Sequence, residues 1–151
     1  MSTLTLFAGI GFLIAVLWID LIFDSSVWIY RGGNKDLPEE VLAAMSHYYR
    51  RVTYKPYVLF LIMAIILWMI ILQITQSLVP AWVGWLSLIL FLASAGCAGT
   101  HIIPAASRLG SRTDQVEKQS ALARTLFPAH VFCFILILLL GAIQFYASWG
   151  R

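Results

Sequence analysis

The chain consists of long apolar runs separated by polar segments. Four runs have the length of about 20 residues that spans the hydrocarbon core of a bilayer as a helix, and they lie at Leu4–Phe23, Tyr57–Ile74, Trp82–Ile103 and Phe127–Ala147. The apolar residues are continuous rather than arranged in periodic stripes. The pattern predicts an all-α membrane protein, a bundle of four transmembrane helices in a single domain over residues 1–151.

The composition agrees with a membrane location. The 151 residues are 61% hydrophobic and 11% charged, whereas a soluble domain is about half apolar and about a quarter charged. The formal net charge is +3, and basic loops that face an anionic leaflet account for it. Membrane lipids are therefore expected as partners and nucleic acid is not.

The distribution of charge predicts the orientation. Nine of the ten Lys and Arg residues, all seven acidic residues and all three histidines fall on one side of the four spans, in or beside loops 24–55 and 104–126. Arg151 lies on the opposite side. Because cytoplasmic loops are enriched in Lys and Arg, both loops are predicted to be cytoplasmic and both termini to lie outside, in a bacterial inner membrane.

Both loops carry the signals of a helix start. In loop 24–55, Asp36 and the following Pro38-Glu39-Glu40 combine a capping side chain, a proline in the first turn and acids at the positive end of the helix dipole. A helix is predicted there over Val41–Tyr54. In loop 104–126, Asp114 and Glu117 predict a helix that runs through Arg124 toward Pro128 and the fourth span.

The two loops also resemble each other in sequence. Arg31–Asp36 and Arg108–Asp114 share a basic residue, a glycine turn, a second basic residue and an acidic cap. Each segment leads through a polar helix to a proline, Pro56 or Pro128, before the next span. This similarity suggests a tandem repeat of two helix pairs.

Four side chains with metal-ligating chemistry fall in the third and fourth spans. Cys97 and His101 are four residues apart and His130 and Cys133 are three apart, so each pair shares one helix face. The two histidines are each nineteen residues inward of a tryptophan at the outer interface, which places them at one depth. Cysteine and histidine ligate zinc and other soft metals, and two histidines can ligate haem iron. A metal or haem site is therefore one prediction.

Asp20 falls at a similar depth near the end of the first span, with Asp24 one turn further on. A carboxylate buried in a membrane is costly, so it is expected to pair with a basic residue, a histidine or a ligand. Asp20 therefore joins the two histidines as a candidate cofactor-binding residue. The alternative is structural: the cysteines are small packing residues, and the aspartates pair with Arg108 or Arg124.

His47, Tyr48, Tyr49, Arg50 and Arg51 form the other candidate site, in loop 24–55. Aromatic rings beside a basic pair suit contact with lipid headgroups or docking to a partner. The alternative is an interfacial helix whose basic face is simply solvated.

Pro104, Arg108 and Leu109 at the end of the third span, with His130 at the start of the fourth, resemble the anthrone-oxygenase-like family of small four-helix membrane proteins. In that family a Pro-x-Asn-x-Arg-Leu sequence follows the third helix and a Trp-x-x-x-His-x-x-x-Arg pattern opens the fourth. The resemblance implies a four-helix architecture and an oxygenase activity. This chain departs from the family pattern at three positions, which are Ala106 for the Asn, Leu126 for the Trp and Phe134 for the Arg.

Three functions are compatible with these patterns. The first is a non-catalytic subunit or scaffold of a larger membrane assembly, because the small residues of Ala93–Gly99 favour close contact with another subunit or a second copy of the chain. The second is a membrane oxidoreductase or oxygenase that holds a metal, haem or quinone-like hydrophobic substrate near Asp20, His101 and His130, at the cytoplasmic leaflet. The third is a lipid-binding or small-amphiphile-binding protein that uses residues 47–51.

Overall fold

The computed structural model of the chain describes residues 2–30, 36–54 and 57–149. These residues form helices, and no strand occurs among them. The elements are α1 (Ser2–Trp28), α2 (Glu39–Tyr54), α3 (Tyr57–Thr75), α4 (Ala81–Cys97), a π turn (Ala98–Ile102), α5 (Ile103–Ser111) and α6 (Val116–Trp149).

Four stretches are long and apolar enough to cross a membrane, as the sequence predicts. They are Leu4–Trp28, Tyr57–Thr75, Ala81–Ser111 and Val116–Trp149. The last two are longer than the predicted spans, because α4 continues through the π turn into α5 and because α6 is one helix from loop to outer end. Pro128 lies inside α6, where it removes one backbone donor without ending the helix.

The four long helices close into a bundle. Helix α1 packs against α6 and α3, and α4 packs against the same two helices. Helix α2 lies beside the bundle, mainly against α5 and with smaller contacts to α1 and α6. A helix in loop 24–55 is therefore present, two residues longer at its start than the segment the sequence indicates.

Two apolar cores fill the bundle. One joins α1, α3, α4 and α6 through residues such as Leu6, Ile66, Phe91 and Ile137. The other joins α2 and α5 to α6 through residues such as Leu42, Leu109 and Leu126. Asp20 and His130 share a cavity wall with residues of both cores, Phe91 and Ile137 of the first and Ile102 and Cys133 of the second, so these two polar residues have apolar neighbours from each core.

A second buried polar group ties the far end of the bundle together. The side-chain amides of Gln73 and Gln144 bind each other reciprocally at 3.0 and 2.9 Å, and Gln144 also donates to Ser87 Oγ at 2.9 Å. All three residues are buried. The group links α3, α6 and α4, and the sequence analysis does not anticipate it.

Helix α2 is fixed on the bundle by close backbone packing and by two polar links. A Cβ atom added at Gly110 of α5 would lie 3.0 Å from the backbone nitrogen of Arg50, so a larger residue here would require the two helices to separate slightly. The Leu37 N–H donates to Ser120 Oγ at 2.9 Å. Arg112 forms an ion pair with Glu39 at 2.7 Å.

The tandem-repeat prediction stays a prediction. Part of the segment that suggests it, residues 31–35, lies outside the described residues, as does Pro56. The same holds for Lys55 and Arg151, two of the basic residues that predict the orientation.

Candidate functional site

Two carboxylates project from α1 into the bundle. Asp20 is 6% exposed and Asp24 is fully buried, and their spacing of four residues places them on one helix face. An ionised carboxylate at such a position is stable only when hydrogen-bond donors or a positive charge surround it. The surroundings of these two residues are therefore the most demanding part of the fold.

His130 of α6 lies between the two carboxylates. Its Nδ1 is 2.6 Å from Oδ2 of Asp24, a hydrogen bond, and its Nε2 is 3.7 Å from Oδ2 of Asp20. We assign the proton of the neutral ring to Nδ1, because a carboxylate accepts and does not donate. Nε2 then carries the lone pair, and its distance to Asp20 is too long for a direct hydrogen bond.

Two adjacent tyrosines of α2 complete the arrangement. Tyr48 donates to Oδ1 of Asp20 at 2.6 Å and Tyr49 donates to Oδ1 of Asp24 at 2.5 Å. Burial, and then the nearby carboxylates, raise the pKa of both phenols above its usual value. Each tyrosine therefore keeps its proton at neutral pH and remains a donor.

These five residues form what we call the Asp–His–Tyr network: Asp20, Asp24, Tyr48, Tyr49 and His130. In each carboxylate, Oδ1 is bound by a tyrosine and Oδ2 faces the histidine. Asp24 is fully engaged, whereas Oδ2 of Asp20 and Nε2 of His130 face each other without a direct bond. The network therefore presents two neighbouring hydrogen-bond acceptors, Oδ2 of Asp20 and Nε2 of His130, to the hydroxyl group of a ligand.

Two cavities meet at this network. The central cavity, of about 80 Å³, lies inside the bundle, with Asp20, His130 and Cys133 in a wall that is otherwise mostly apolar. The lateral cavity, of about 310 Å³, lies between α1, α2, α3 and α5 and also has Asp20 and His130 in its wall. Both side chains are therefore accessible to a molecule in either space.

The lateral cavity reaches the surface of the bundle through apolar side chains. Its lining includes Phe12, Val52, Val58 and Phe60, which are exposed by 40 to 50%. Phe12, Val58 and Phe60 belong to stretches long and apolar enough to cross a membrane. The opening of the cavity therefore suits a molecule that arrives from the lipid phase.

The four candidate metal ligands do not converge. Cys97 is a close neighbour of the Cys133 thiol, so the two cysteines meet where α4 packs on α6. The histidines diverge: His130 lies in the network, whereas His101 is exposed and lines a different cavity on the other side of the π turn. Within the described ranges, no group of three or more His, Cys, Asp and Glu side chains is arranged to hold a metal ion.

The basic and aromatic segment of α2 is divided between two faces. Tyr49 is 2% exposed and Tyr48 is half-buried, and both point to the network. His47, Arg50 and Arg51 are exposed, and their contact with lipid headgroups stays a prediction. The tyrosines are network donors, a role for which the sequence analysis proposes neither of them.

The aspartates are not paired as the structural alternative expects. Arg108 forms two hydrogen bonds with Asp114, at 2.9 and 2.7 Å, and the partners of Asp20 and Asp24 are the histidine and the tyrosines. Histidine is one of the partners that the sequence analysis allows. One sequence signal could have indicated the tyrosine donors: Asp20 and Asp24 are four residues apart in an apolar run. Two buried carboxylates so close together require several hydrogen-bond donors at the same depth.

No protein-family model matches this chain, and comparisons with curated proteins and with solved structures give no match either.

Proposed function

We propose that the protein binds a small, lipid-soluble molecule with a hydroxyl or carbonyl group in the lateral and central cavities and exchanges a proton with it through His130. This proposal belongs to the second of the functions considered above, an enzyme acting on a hydrophobic substrate. The observation that carries it is the 3.7 Å separation between His130 Nε2 and Asp20 Oδ2, with both residues in the wall of both cavities.

A ligand hydroxyl beside His130 Nε2 and Asp20 Oδ2 can donate a hydrogen bond to one of these atoms and lie close to the other. His130 Nε2 can accept the proton because Asp24, bound to Nδ1, holds the ring in the required tautomer and stabilises the imidazolium that forms. In the reverse direction, the protonated ring donates to a carbonyl oxygen. Tyr48 and Tyr49 hold both carboxylates in place during either step.

The apolar walls define the class of ligand. A cavity that opens through Phe12, Val58 and Phe60 favours a molecule that is dissolved in the lipid. Its polar atom is recognised by Asp20 and His130 at the inner end. A quinol or another phenol has this distribution of polar and apolar atoms. The oxygenase activity implied by the family resemblance stays a prediction, and the proton exchange proposed here does not depend on it.

The proposal is tested with trimethylhydroquinone and its dimethyl ether as probes. We expect the purified protein in detergent micelles to bind the hydroquinone and to bind the ether at least roughly tenfold more weakly, a difference of about 1.4 kcal/mol. Asp20→Asn and His130→Gln should each remove that preference. Asp114→Asn, which changes a partly exposed carboxylate outside both cavities, is the matched control and should retain it.

Two results would contradict this function. One is equal binding of the hydroquinone and its ether by the unmodified protein. The other is an unchanged preference in both network variants, verified as folded by circular dichroism.

A non-catalytic subunit remains a second candidate, favoured by a different observation. Ala93, Gly96 and Gly99 are exposed on one face of the third long helix, and a Cβ atom added at either glycine would meet nothing within 4 Å. Such a face permits close approach of another helix. Crosslinking of the protein in native membranes, with Gly96→Leu as a variant, tests whether this face binds another subunit or a second copy.

The proposed orientation places the network in the cytoplasmic half of the membrane, with both termini outside. Alkaline phosphatase, which is active only outside the cytoplasm, is expected to be active when fused after Arg151. A green fluorescent protein fused at the same position would be exported unfolded, so it is expected not to fluoresce. The opposite result would place the loops outside.

A further inference from the structure

A third cavity lies apart from the Asp–His–Tyr network, on the other side of the π turn. It has a volume of about 300 Å³ and is enclosed by the π turn, α5 and α6. We call it the interfacial cavity. Its lining is Cys97, Thr100, His101, Pro104, Ala105, Arg108, Leu122, Thr125, Leu126 and Ala129, and neither Asp20 nor His130 belongs to it.

The polar part of the interfacial cavity is basic. Arg108 is 43% exposed, and its Nε and Nη2 groups bind Asp114, which fixes the guanidinium and leaves Nη1 for another acceptor. Lys118 lies 3.8 Å from the same carboxylate. The charges of Arg108, Lys118 and Asp114 therefore sum to one positive charge beside the cavity.

The cavity also has the polarity gradient of a lipid. His101 precedes Arg108 by seven residues, so the two side chains are separated by about 10 Å along the helix. Arg108 lies near the end of α5, beside the polar loop that joins α5 to α6. His101 lies further toward the membrane interior. Pro104, Leu122, Leu126 and Ala129 supply apolar surface beside them.

We propose that the interfacial cavity binds the phosphate and glycerol of an anionic phospholipid, with the phosphate at Arg108 and the glycerol oxygens near His101. Basic pockets between transmembrane helices on the cytoplasmic side bind acidic lipid headgroups because the guanidinium pairs with phosphate while the chains remain in the bilayer. The exposed residues His47, Arg50 and Arg51 form a separate surface on α2. The proposal concerns a defined single-lipid site rather than general attraction to the membrane.

This inference is independent of the proposed function, because the two sites share no lining residue. A variant that fills the interfacial cavity leaves the cavities at His130 unchanged. Binding of the hydroquinone probe can therefore be measured in the same variants, and the two proposals can fail separately.

The experiment uses the full chain in nanodiscs that contain equal amounts of phosphatidylglycerol and phosphatidylcholine with identical acyl chains. Native mass spectrometry after gentle release should show one retained phosphatidylglycerol per chain. Arg108→Gln is expected to reduce this retention roughly fivefold, as expected for one arginine at a lipid surface. Arg112→Gln removes the same charge from a residue that does not line the cavity, and it should retain the lipid.

Thr125→Phe provides a second variant if loss of the Arg108–Asp114 pair disturbs folding. Thr125 is exposed on α6, so a phenyl ring there fills the cavity without removing a charge, and lipid retention should fall. Equal retention of both lipids, or undiminished retention in both Arg108→Gln and Thr125→Phe, would overturn the proposal. Displacement of the lipid by millimolar glycerol phosphate would show that a soluble phosphate is the ligand, and would overturn it as well.

Discussion

His130 Nδ1 lies 2.6 Å from Oδ2 of Asp24, and this hydrogen bond joins α6 to α1 where both helices are closed to solvent. The histidine is 2% exposed and the aspartate is fully buried. Because each residue removes the main cost of burying the other, the pair specifies how the two helices pack. The same bond orients Nε2 of the ring toward Asp20 and the two cavities.

Removal of the Asp24 carboxylate is expected to destabilise the protein strongly. Asp24→Ala leaves the Tyr49 hydroxyl and His130 Nδ1 buried without their acceptor, so we expect a loss of about 3–5 kcal/mol in the free energy of unfolding. Titration with a denaturing detergent measures it. Asp114→Ala removes a partly exposed carboxylate and should cost much less, so equal losses in the two variants would mean that the buried pair has no special role.

Gly110 is predicted to control the position of α2. In Gly110→Ala the new methyl group would lie 3.0 Å from the backbone of Arg50, so α2 must move outward, and we expect a loss of about 1–3 kcal/mol. The same detergent titration measures the loss. Gly11→Ala is the matched control, because a Cβ atom there meets nothing within 4 Å, and it should be neutral or stabilising by up to about 1 kcal/mol.

The Gln73–Gln144 pair is predicted to behave as a coupled unit. Either single change to leucine leaves a buried amide with lost hydrogen bonds and should cost about 1–3 kcal/mol. The double variant Gln73→Leu/Gln144→Leu should lose less than the sum, because both amides are gone, with a coupling energy of about 1 kcal/mol. A thermodynamic cycle of the four proteins measures this coupling, and strictly additive losses would disagree with the reciprocal bonding seen here.

The ion pair between Arg108 and Asp114 is expected to appear in a pH titration. Hydrogen bonds from Arg108, together with the charges of Arg108 and Lys118, lower the pKa of Asp114 below its ordinary value of 3.8. The stabilisation is therefore complete above pH 3.8 and is lost as the pH falls through the lower pKa of the folded state. Carbon-13 NMR of the carboxyl group in micelles should show a midpoint below 3.8, and Arg108→Gln should move it upward. An unchanged midpoint would show that the pair does not form in solution.

The four spans could be predicted from the sequence because the bilayer imposes one requirement on each of them. A run of about 20 apolar residues must form a helix when no water is present to satisfy its backbone, whatever surrounds it. The ends of the spans were less predictable. The helix that opens near Asp114 and the fourth span are one element, since Pro128 costs a single backbone bond and the helix around it can continue.

The candidate site was only partly predictable. Asp20 is predicted from the cost of a carboxylate in a membrane and His130 from its ligand chemistry and its depth, and the two lie together in the structure. The partnership of His101 with His130 was not realised, although Cys97 and Cys133 do meet. Equal depth along two helices does not set the direction in which each side chain points, and the direction depends on how α4 and α6 are rotated about their axes.

By itself, the sequence determined the helical class, the four spans and the presence of costly polar groups inside them, because these follow from local composition and the thickness of the bilayer. Only the tertiary structure decided which groups satisfy one another. The tyrosines of α2 reach Asp20 and Asp24 because Gly110 allows α2 to lie against α5. The physical reason is that hydrogen bonds require contact within about 3 Å, and such contact between distant residues depends on the packing of all the helices at once.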